Sequence, residues 1–181
     1  MNTIIIPDAL QDVVALVSEK LGYTVNFRFG TYAELVDDLR SIDYTSTPED
    51  ITEDRNYPLI WLPMDIDEVF SGSDYSYTAT IKLILCTQTQ KELRTSERYN
   101  TTFLGILYPI YDELLNQIAR CGWFEQGEPE QIEHTKTDRM YWGKTQLIDE
   151  NGVGIDFVDA IEISNLKLNV KFNNCKRLWP N

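Results

Sequence analysis

Side chains that could do chemistry are few in this sequence and widely spaced. Three carboxylates, Asp65, Asp67 and Glu68, lie close together, and hard cations such as Ca²⁺ take oxygen ligands of this kind. An EF-hand loop needs glycine at its sixth position, which counted from Asp65 is Phe70. The single histidine, His134, lies in a polar stretch without a nucleophile pattern nearby. We therefore interpret the carboxylates as part of a solvated loop and His134 as an exposed residue, and we expect no metal site.

Sequence motifs for phosphate, dinucleotide and acyl-transfer chemistry are missing. The chain has no GxxxxGK[ST], no GxGxxG and no GxSxG, and its GVG at 152–154 belongs to a hairpin signal. Its three cysteines, Cys86, Cys121 and Cys175, are an odd number and form no CxxC pair. This pattern argues against a disulfide framework or a zinc site and fits a reducing cytosol. We expect a protein that is not an enzyme and binds no cofactor.

The composition describes an acidic globular domain. A chain of 181 residues with 43% hydrophobic content can fill one core, so we expect a single domain over residues 1–181. No apolar run is long enough to span a bilayer, and the start MNTIIIPDAL lacks the features of a secretory signal. The net charge of −13 disfavours a grip on nucleic-acid phosphates, which needs Lys and Arg. We expect an intracellular protein with no membrane partner.

The candidate core begins with a long strand in the stretch YSYTATIKLILCTQT. Apolar side chains recur at every second position there, as expected for a strand with one buried face. From Ile84 both faces become apolar, so the far end should be covered on both sides. The predicted buried face comprises Tyr75, Tyr77, Ala79, Ile81, Leu83 and Leu85.

A long amphipathic helix follows the central strand. Pro109 has no N–H, and its ring crowds the carbonyl of Gly105, so we expect either a kink near Gly105 or a new helical start at Pro109. Gly122 provides a stop. The predicted buried stripe comprises Phe103, Leu107, Ile110, Leu114, Ile118 and Cys121, widened by Leu104, Tyr111 and Leu115.

The N-terminal part predicts a strand between two helices. After an extended lead over residues 3–6, Pro7 suits a first helical turn and Gly22 a helix end. Apolar and polar side chains alternate over residues 23–29, as in a strand with one buried face. Thr31 and Glu34 form a capping box for a second helix to about residue 40.

A polar, acidic loop is predicted over residues 41–56. The strand YPLIWLP comes next, and the prolines Pro58 and Pro63 at its two ends predict an edge strand or a very short one, because proline cannot donate to a ladder.

The C-terminal part predicts a second polar loop at about 125–138 and then a hairpin. Residues 140–148 and 153–157 flank Asn151-Gly152, a strong hairpin signal. In the last strand the apolar positions change from odd to even numbers, which requires a bulge or bend at Ser164-Asn165.

The order of these elements indicates the fold class. Helices and strands are mixed without regular βαβ alternation. We expect an α+β fold, with a mainly antiparallel mixed sheet packed against two or three helices and one long helix after the central strand.

Several stretches resemble one family. In its order of elements and in the general pattern of its stretches, the chain resembles the tail-terminator or tail-completion proteins of long-tailed bacteriophages. More loosely, it resembles other head-to-tail joining proteins of phages and prophages. The stretches that carry the resemblance are DALQDVVALVSEKL, YPLIWLPMDIDEVF, YSYTATIKLILCTQT, ERYNTTFLGILYPIYDELLNQI and FVDAIEISNLKLNV. The polar loops at 41–56 and 125–138 depart from the family and could decorate the outside of an assembly.

The resemblance implies an assembly function in the virion. Such proteins are α+β subunits of a ring, commonly a hexamer, that caps the tail tube or neck, halts its polymerisation and leaves a channel for DNA. The implied partners are copies of this chain and other tail or neck proteins, with DNA passing without specific binding. The implied location is the virion tail or neck, and the host cytoplasm during assembly.

Contacts at chain ends and strand edges must hold such a ring, because its subunits share a negative charge. A non-catalytic intracellular protein- or ligand-binding domain is the alternative. The candidate interface residues are Thr3, Ile4, Ile5, Ile6, Leu178, Trp179 and Pro180.

Overall fold

The computed structural model describes residues 5–35, 57–70, 76–90, 92–142 and 158–171. Two helices and six strands organise this part of the chain into an α+β fold, as the sequence predicts. Helix α1 spans Ile6–Leu21, and helix α2 runs over residues 95–120 through three segments, Thr95–Arg98, Tyr99–Leu107 and Tyr108–Arg120. The strands are β1 (Asn26–Gly30), β2 (Leu59–Pro63), β3 (Asp67–Phe70), β4 (Ser76–Gln88), β5 (Thr135–Arg139) and β6 (Val158–Lys171).

The strands form one mixed sheet with the order β1-β2-β4-β6-β5. β3 also pairs with β4, on the side that β2 occupies further along the same strand. Only the β1–β2 pair is parallel, and the other four pairings are antiparallel. The mainly antiparallel sheet expected from the sequence is therefore confirmed. β1 and β3 lie on one side of the sheet, and β5 lies on the other.

Helix α1 begins and ends near the residues that its sequence indicates. Ile5 is the extended residue before the helix, and Pro7 lies in the first turn. Gly22 ends the helix with a φ of 75°, a left-handed conformation that favours glycine, and its N–H donates to the Ser18 carbonyl at 3.0 Å. Because the helix already starts at Ile6, only Ile5 of the predicted lead is extended within the described residues.

The capping box after β1 is also present. The Thr31 N–H donates to Glu34 Oε2 at 2.6 Å, and the Glu34 N–H donates to Thr31 Oγ1 at 3.3 Å. Gly30 precedes it with a φ of 152°, where a Cβ would collide with the Glu34 carboxylate. Leu35 is buried in the following turn. The rest of the predicted helix and the predicted loop at 41–56 lie outside the described residues.

β2 corrects the prediction of an edge strand at YPLIWLP. All five of its residues are buried, and it lies between β1 and β4. The prolines do not disturb the ladder, because Pro58 precedes the strand and Pro63 is its last residue. Backbone bonds close the β1–β2 ladder at both ends, from Asn26 N–H to the Pro58 carbonyl at 2.9 Å and from Met64 N–H to the Gly30 carbonyl at 3.2 Å.

The β-bulge predicted in the last strand is confirmed. Ile81 of β4 pairs with Leu166, whereas Leu83 pairs with Ile163, so Ser164 and Asn165 share one place in the ladder. Asn165 adopts a φ of 55° there. The extra residue returns the apolar side chains on both sides of the bulge to the same face of the sheet.

Helix α2 changes its hydrogen-bond pattern where the sequence has proline. The segment Tyr99–Leu107 is a π-helix, and the α-helical segment that follows has Pro109 in its second position. The second of the two expectations, a new helical start at the proline, describes this arrangement. The predicted core stripe is buried, but Leu104 is exposed, because a π-helix has more residues per turn than the α-helical spacing assumes.

The predicted loop at 125–138 is corrected at its C-terminal end, where β5 forms an edge strand against β6. The sequence gives little sign of it, because β5 (TKTDR) has no apolar alternation. Residues 140–142 make a turn and the start of a helix rather than a strand. The predicted Asn151-Gly152 hairpin lies outside the described residues.

The sheet has two unequal buried faces. α1 and α2 cover the larger face, on which the odd-numbered side chains from Tyr77 to Leu85 of β4 are buried as predicted. Tyr75, predicted for the same face, lies outside the described residues. The other face carries a smaller cluster that includes Trp61, Ile84, Cys86 and Trp142. Within the described residues, no helix combines the length and the apolar character needed to cross a membrane.

Candidate subunit interface

β3 lies at an open edge of the sheet. One of its sides pairs with β4, and no other strand of the described residues pairs with its second side. All four of its side chains are exposed, including Val69 at 67% and Phe70 at 55%. An edge strand with unpaired backbone groups and exposed apolar side chains is a template for pairing with another chain.

Further exposed apolar and aromatic side chains lie in or just after β1 and β2, on the same side of β4 as β3. Phe29 is at the end of β1, and Met64 follows β2 directly and bonds to the last residue of β1. The Tyr32 hydroxyl accepts a hydrogen bond from Lys82 Nζ of β4 at 3.1 Å. Of the nine large apolar or aromatic side chains exposed in the described residues, two belong to β3 and three more belong to or follow β1 and β2, on the same side of β4. We call these five the β3 edge patch: Phe29, Tyr32, Met64, Val69 and Phe70.

The β3 edge patch is bordered by negative charge. Asp65, Asp67 and Glu68 are exposed, and none of them makes an ion pair with another described residue. The prediction of a loop here is wrong for Asp67 and Glu68, because both belong to β3. Their exposure agrees with the solvated character expected from the sequence. Three carboxylates on one edge leave a local negative field that a basic surface would neutralise.

β5 forms the edge on the opposite side of the sheet, and it carries basic side chains. Its one described pairing is with β6. Arg139 is 45% exposed and lies 3.5 Å from a Glu162 carboxylate oxygen, measured from its Nε. Lys136 Nζ lies 2.6 Å from Asp138 Oδ1. The two ends of β5 thus present cationic groups at the surface, each with a carboxylate close by.

Helix α2 holds β5 in place through its tyrosines. The Tyr108 hydroxyl donates to Asp138 Oδ2 at 2.6 Å, and Lys136 Nζ lies 4.3 Å from the centre of the Tyr108 ring. Burial, followed by the hydrogen bond and charge of Asp138, raises the pKa of Tyr108. Tyr108 therefore stays protonated and remains a hydrogen-bond donor at neutral pH.

His134 is half-buried, not the exposed residue that the sequence suggested. Its Nε2 lies 2.6 Å from the Tyr111 hydroxyl, and its Nδ1 lies 2.7 Å from the Ile132 carbonyl. These contacts attach the start of β5 to helix α2. The side chain therefore has a structural part in positioning the β5 edge.

A buried ion pair connects helix α2 to β6. Arg98 Nε donates to Asp159 Oδ2 at 3.0 Å and Nη2 donates to Oδ1, with both side chains fully buried. Thr102 Oγ1 donates to the same carboxylate at 2.8 Å, and the Tyr141 N–H donates to it at 3.0 Å. The Tyr141 ring lies over the Arg98 guanidinium at 3.4 Å. This network fixes the turn that follows β5.

Asp159 and Glu162 are two buried carboxylates of the last strand. Asp159 points toward helix α2, and Glu162 is buried at 7% exposure, where it accepts a hydrogen bond from Trp142 Nε1 at 2.8 Å. No group of three or more His, Cys, Asp and Glu side chains within the described ranges is placed to hold a metal ion.

The candidate interface residues named from the sequence have different outcomes. Ile5 is 60% exposed and stays a candidate. Ile6 is buried in the core of its own chain, so its side chain is not available to a second subunit. The others, Thr3, Ile4, Leu178, Trp179 and Pro180, lie outside the described residues.

Sequence reasoning missed the β3 edge patch. Residues 64–70, MDIDEVF, contain no alternation long enough to predict a strand. The available signal was the pair Val69-Phe70 next to an acidic run and before the turn-like SGSD, which together favour the first arm of a hairpin into β4.

Comparison with known proteins does not extend this description. No protein-family model matches the chain. A comparison with characterised proteins likewise finds no match.

Proposed function

We propose that this chain is a structural assembly protein of a bacteriophage or prophage. In this proposal its subunits form a ring, with a hexamer favoured, at the tail end or the head-tail neck. The ring ends tail-tube polymerisation, joins the tube to the connector and leaves a channel for DNA. The protein would act in the virion, after assembly in the host cytoplasm, and its partners would be its own copies and other tail or neck proteins.

The observation that carries the proposal is the position of the two edge strands. β3 and β5 lie on opposite sides of one sheet, and their outer edges have no partner among the described strands. A subunit with two different adhesive surfaces associates head to tail, and such contacts form a ring when the rotation between subunits closes. A protein with one adhesive surface would instead favour a dimer with twofold symmetry.

The charge of the chain suits a channel protein. At a net charge of −13, a subunit repels the phosphate backbone, so DNA can pass without being held. We therefore expect no binding of duplex DNA at moderate salt. A gel-shift titration with a short duplex tests this point, and tight binding would contradict the channel function.

Negative-stain electron microscopy of the concentrated protein tests the ring itself. The proposal expects ring-shaped particles with a central opening and a rotational symmetry that class averages reveal, sixfold in the favoured case. Particles of single-subunit size at every concentration would contradict it. That result would favour the alternative, a non-catalytic intracellular domain that binds a protein or a ligand.

A further inference from the structure

We propose that neighbouring subunits join edge to edge, with β3 of one subunit pairing in antiparallel fashion with β5 of the next. This inference rests on the proposed ring and names the surfaces that build it. The occupant of the β3 edge is thus a second copy of this chain, not another protein. Each subunit contributes two different edges, so the contact is heterologous.

Strand directions in the sheet support this pairing. β3 and β6 run opposite to β4, and β5 runs opposite to β6. The row β3-β4-β6-β5 therefore alternates in direction from one edge to the other. A rotation about an axis to which all the strands are tilted by the same angle preserves these directions, so the β5 of one subunit meets the β3 of its neighbour antiparallel. The sheet then continues through the contact without a break in its pattern.

Charge complementarity selects β3 over the other strand on that side. β3 carries the carboxylates Asp67 and Glu68 and no cation, whereas β5 carries two cations, Lys136 and Arg139, and one carboxylate, Asp138. β1 (Asn26–Gly30) carries no carboxylate, so it offers no opposite charge to the cations of β5. The same comparison disfavours a twofold contact of β3 with β3, which would place four carboxylates side by side.

The faces of the two strands restrict the register. Glu68 lies opposite Ala79 on the core-facing side of the sheet, and Lys136 contacts Tyr108 of helix α2 on that same side. A continuous sheet keeps these faces aligned, so even-numbered residues of β3 must oppose even-numbered residues of β5. Pairing Glu68 with Lys136 satisfies this condition, and it places Val69 opposite Thr135.

This register shifts neighbouring subunits along the strands. Glu68 of β3 pairs with Ala79 of β4. Lys136 of β5 pairs with Ile163 of β6, which in turn pairs with Leu83 of β4. The difference from Ala79 to Leu83 corresponds to about 13 Å along a strand. Such a stagger is what a closed sheet needs, because its strands must tilt relative to the axis of closure.

Site-directed cross-linking tests the contact. Val69→Cys and Thr135→Cys are introduced separately into a Cys175→Ser background, and one of the two proteins carries a tag that changes its mass. The two are mixed at a concentration at which the parent chain forms rings, and then oxidised. Directly opposed residues of an antiparallel pair have Cβ atoms close enough for a disulfide. Glu19→Cys, an exposed position on α1, is the matched control for random collision.

The inference expects a disulfide between Val69→Cys and Thr135→Cys chains, at least tenfold more abundant than any product of the control. A Val69→Cys homodimer as the main product would overturn it in favour of a twofold contact. Light scattering on the same samples separates the two proposals. Rings without the mixed disulfide overturn the edge pairing alone, whereas a parent chain that forms no rings overturns the proposed function as well.

A charge exchange provides an independent readout. Glu68→Lys and Lys136→Glu each place like charges at every contact of a uniform ring, so each protein alone should assemble less than the parent. In an equimolar mixture that alternates around the ring, every contact regains an opposite pair. Recovery of assembly on mixing is the expected result. Equal assembly by the mixture and the separate variants would contradict the Glu68–Lys136 pairing.

Discussion

At the residue scale, the Arg98–Asp159 pair shows what sequence reasoning cannot see. Nothing in the neighbourhood of either residue distinguishes it from the exposed charges around it, since the two are far apart in the chain. Burial and pairing arise only when helix α2 packs on β6. Removing one partner of a buried pair leaves an uncompensated charge, so the consequences are larger than those for a surface charge.

Substitution of Arg98 by alanine should lower the free energy of unfolding by about 3–5 kcal/mol, because Asp159 would remain buried without its cation. Arg94→Ala, one turn earlier and exposed, is the control and should change stability by less than about 0.5 kcal/mol. Urea melts of both variants measure the difference. Equal losses in the two variants would show that the ion pair does not have this structural importance.

The two described cysteines belong to the same scale. Cys86 and Cys121 are buried as small core residues. Burial raises the pKa of Cys86 to about 12 and also raises the pKa of Cys121. Because the thiolate is the reactive form, both thiols should be inert in the folded protein.

In a Cys175→Ser background, we expect no reaction of the native chain with a thiol reagent at pH 8, and two equivalents of reaction after unfolding in urea. The colour released by an aromatic disulfide reagent measures both values. Fast labelling of the native chain would mean that one of these side chains is accessible.

At the scale of elements, the spacing of apolar residues predicted the features that follow from regular helix and strand geometry. The core stripe of helix α2, the alternating face of β4 and the bulge in β6 all follow from apolar spacing. β5 and β3 did not follow, because a polar or exposed edge strand is held by backbone pairing and leaves no apolar pattern in the sequence. The interface residues suggested from the sequence were apolar chain ends for the same reason.

The stripe on helix α2 gives a stability prediction. Leu114 is fully buried, so Leu114→Ala should destabilise the domain by about 2–5 kcal/mol through lost transfer energy and a cavity. Asn116→Ala, at a half-buried polar position on another side of the same helix, should cost clearly less. Equal losses of unfolding free energy for the two variants in urea melts would show that the buried face of helix α2 has been assigned wrongly.

The β3 edge gives a prediction that separates assembly from folding. Val69 is 67% exposed in the subunit, so Val69→Lys should leave the melting of the subunit unchanged within about 0.5 kcal/mol. Burial of a valine contributes about 1.5–3 kcal/mol, so losing it at each contact should raise the concentration needed for half-assembly by about tenfold to a hundredfold. Thr24→Lys, also exposed but outside both β3 and β5, is the matched control. Unchanged assembly of the Val69 variant would remove β3 from the interface.

At the scale of the whole molecule, the negative charge of the subunits opposes the association that their sheet edges favour. Every subunit carries a net charge of −13, so subunits repel one another at low salt. The ion pairs proposed at the β3–β5 contact are exposed at the rim and contribute only about 0–1 kcal/mol each. Apolar and backbone contacts must therefore supply the attraction, and added salt should favour assembly by shortening the reach of the repulsion from about 10 Å at 0.1 M to about 3 Å at 1 M.

Light scattering of the purified chain, measured across concentration at 0.1 M and 1 M salt, tests the ring most directly. The account predicts a mass that rises with concentration to a fixed multiple of the subunit mass, six in the favoured case, and a lower concentration for half-assembly at 1 M salt. A plateau at a fixed multiple distinguishes a closed ring from open-ended association, which would grow without limit. A mass equal to one subunit at the highest concentration in both salts would contradict the account.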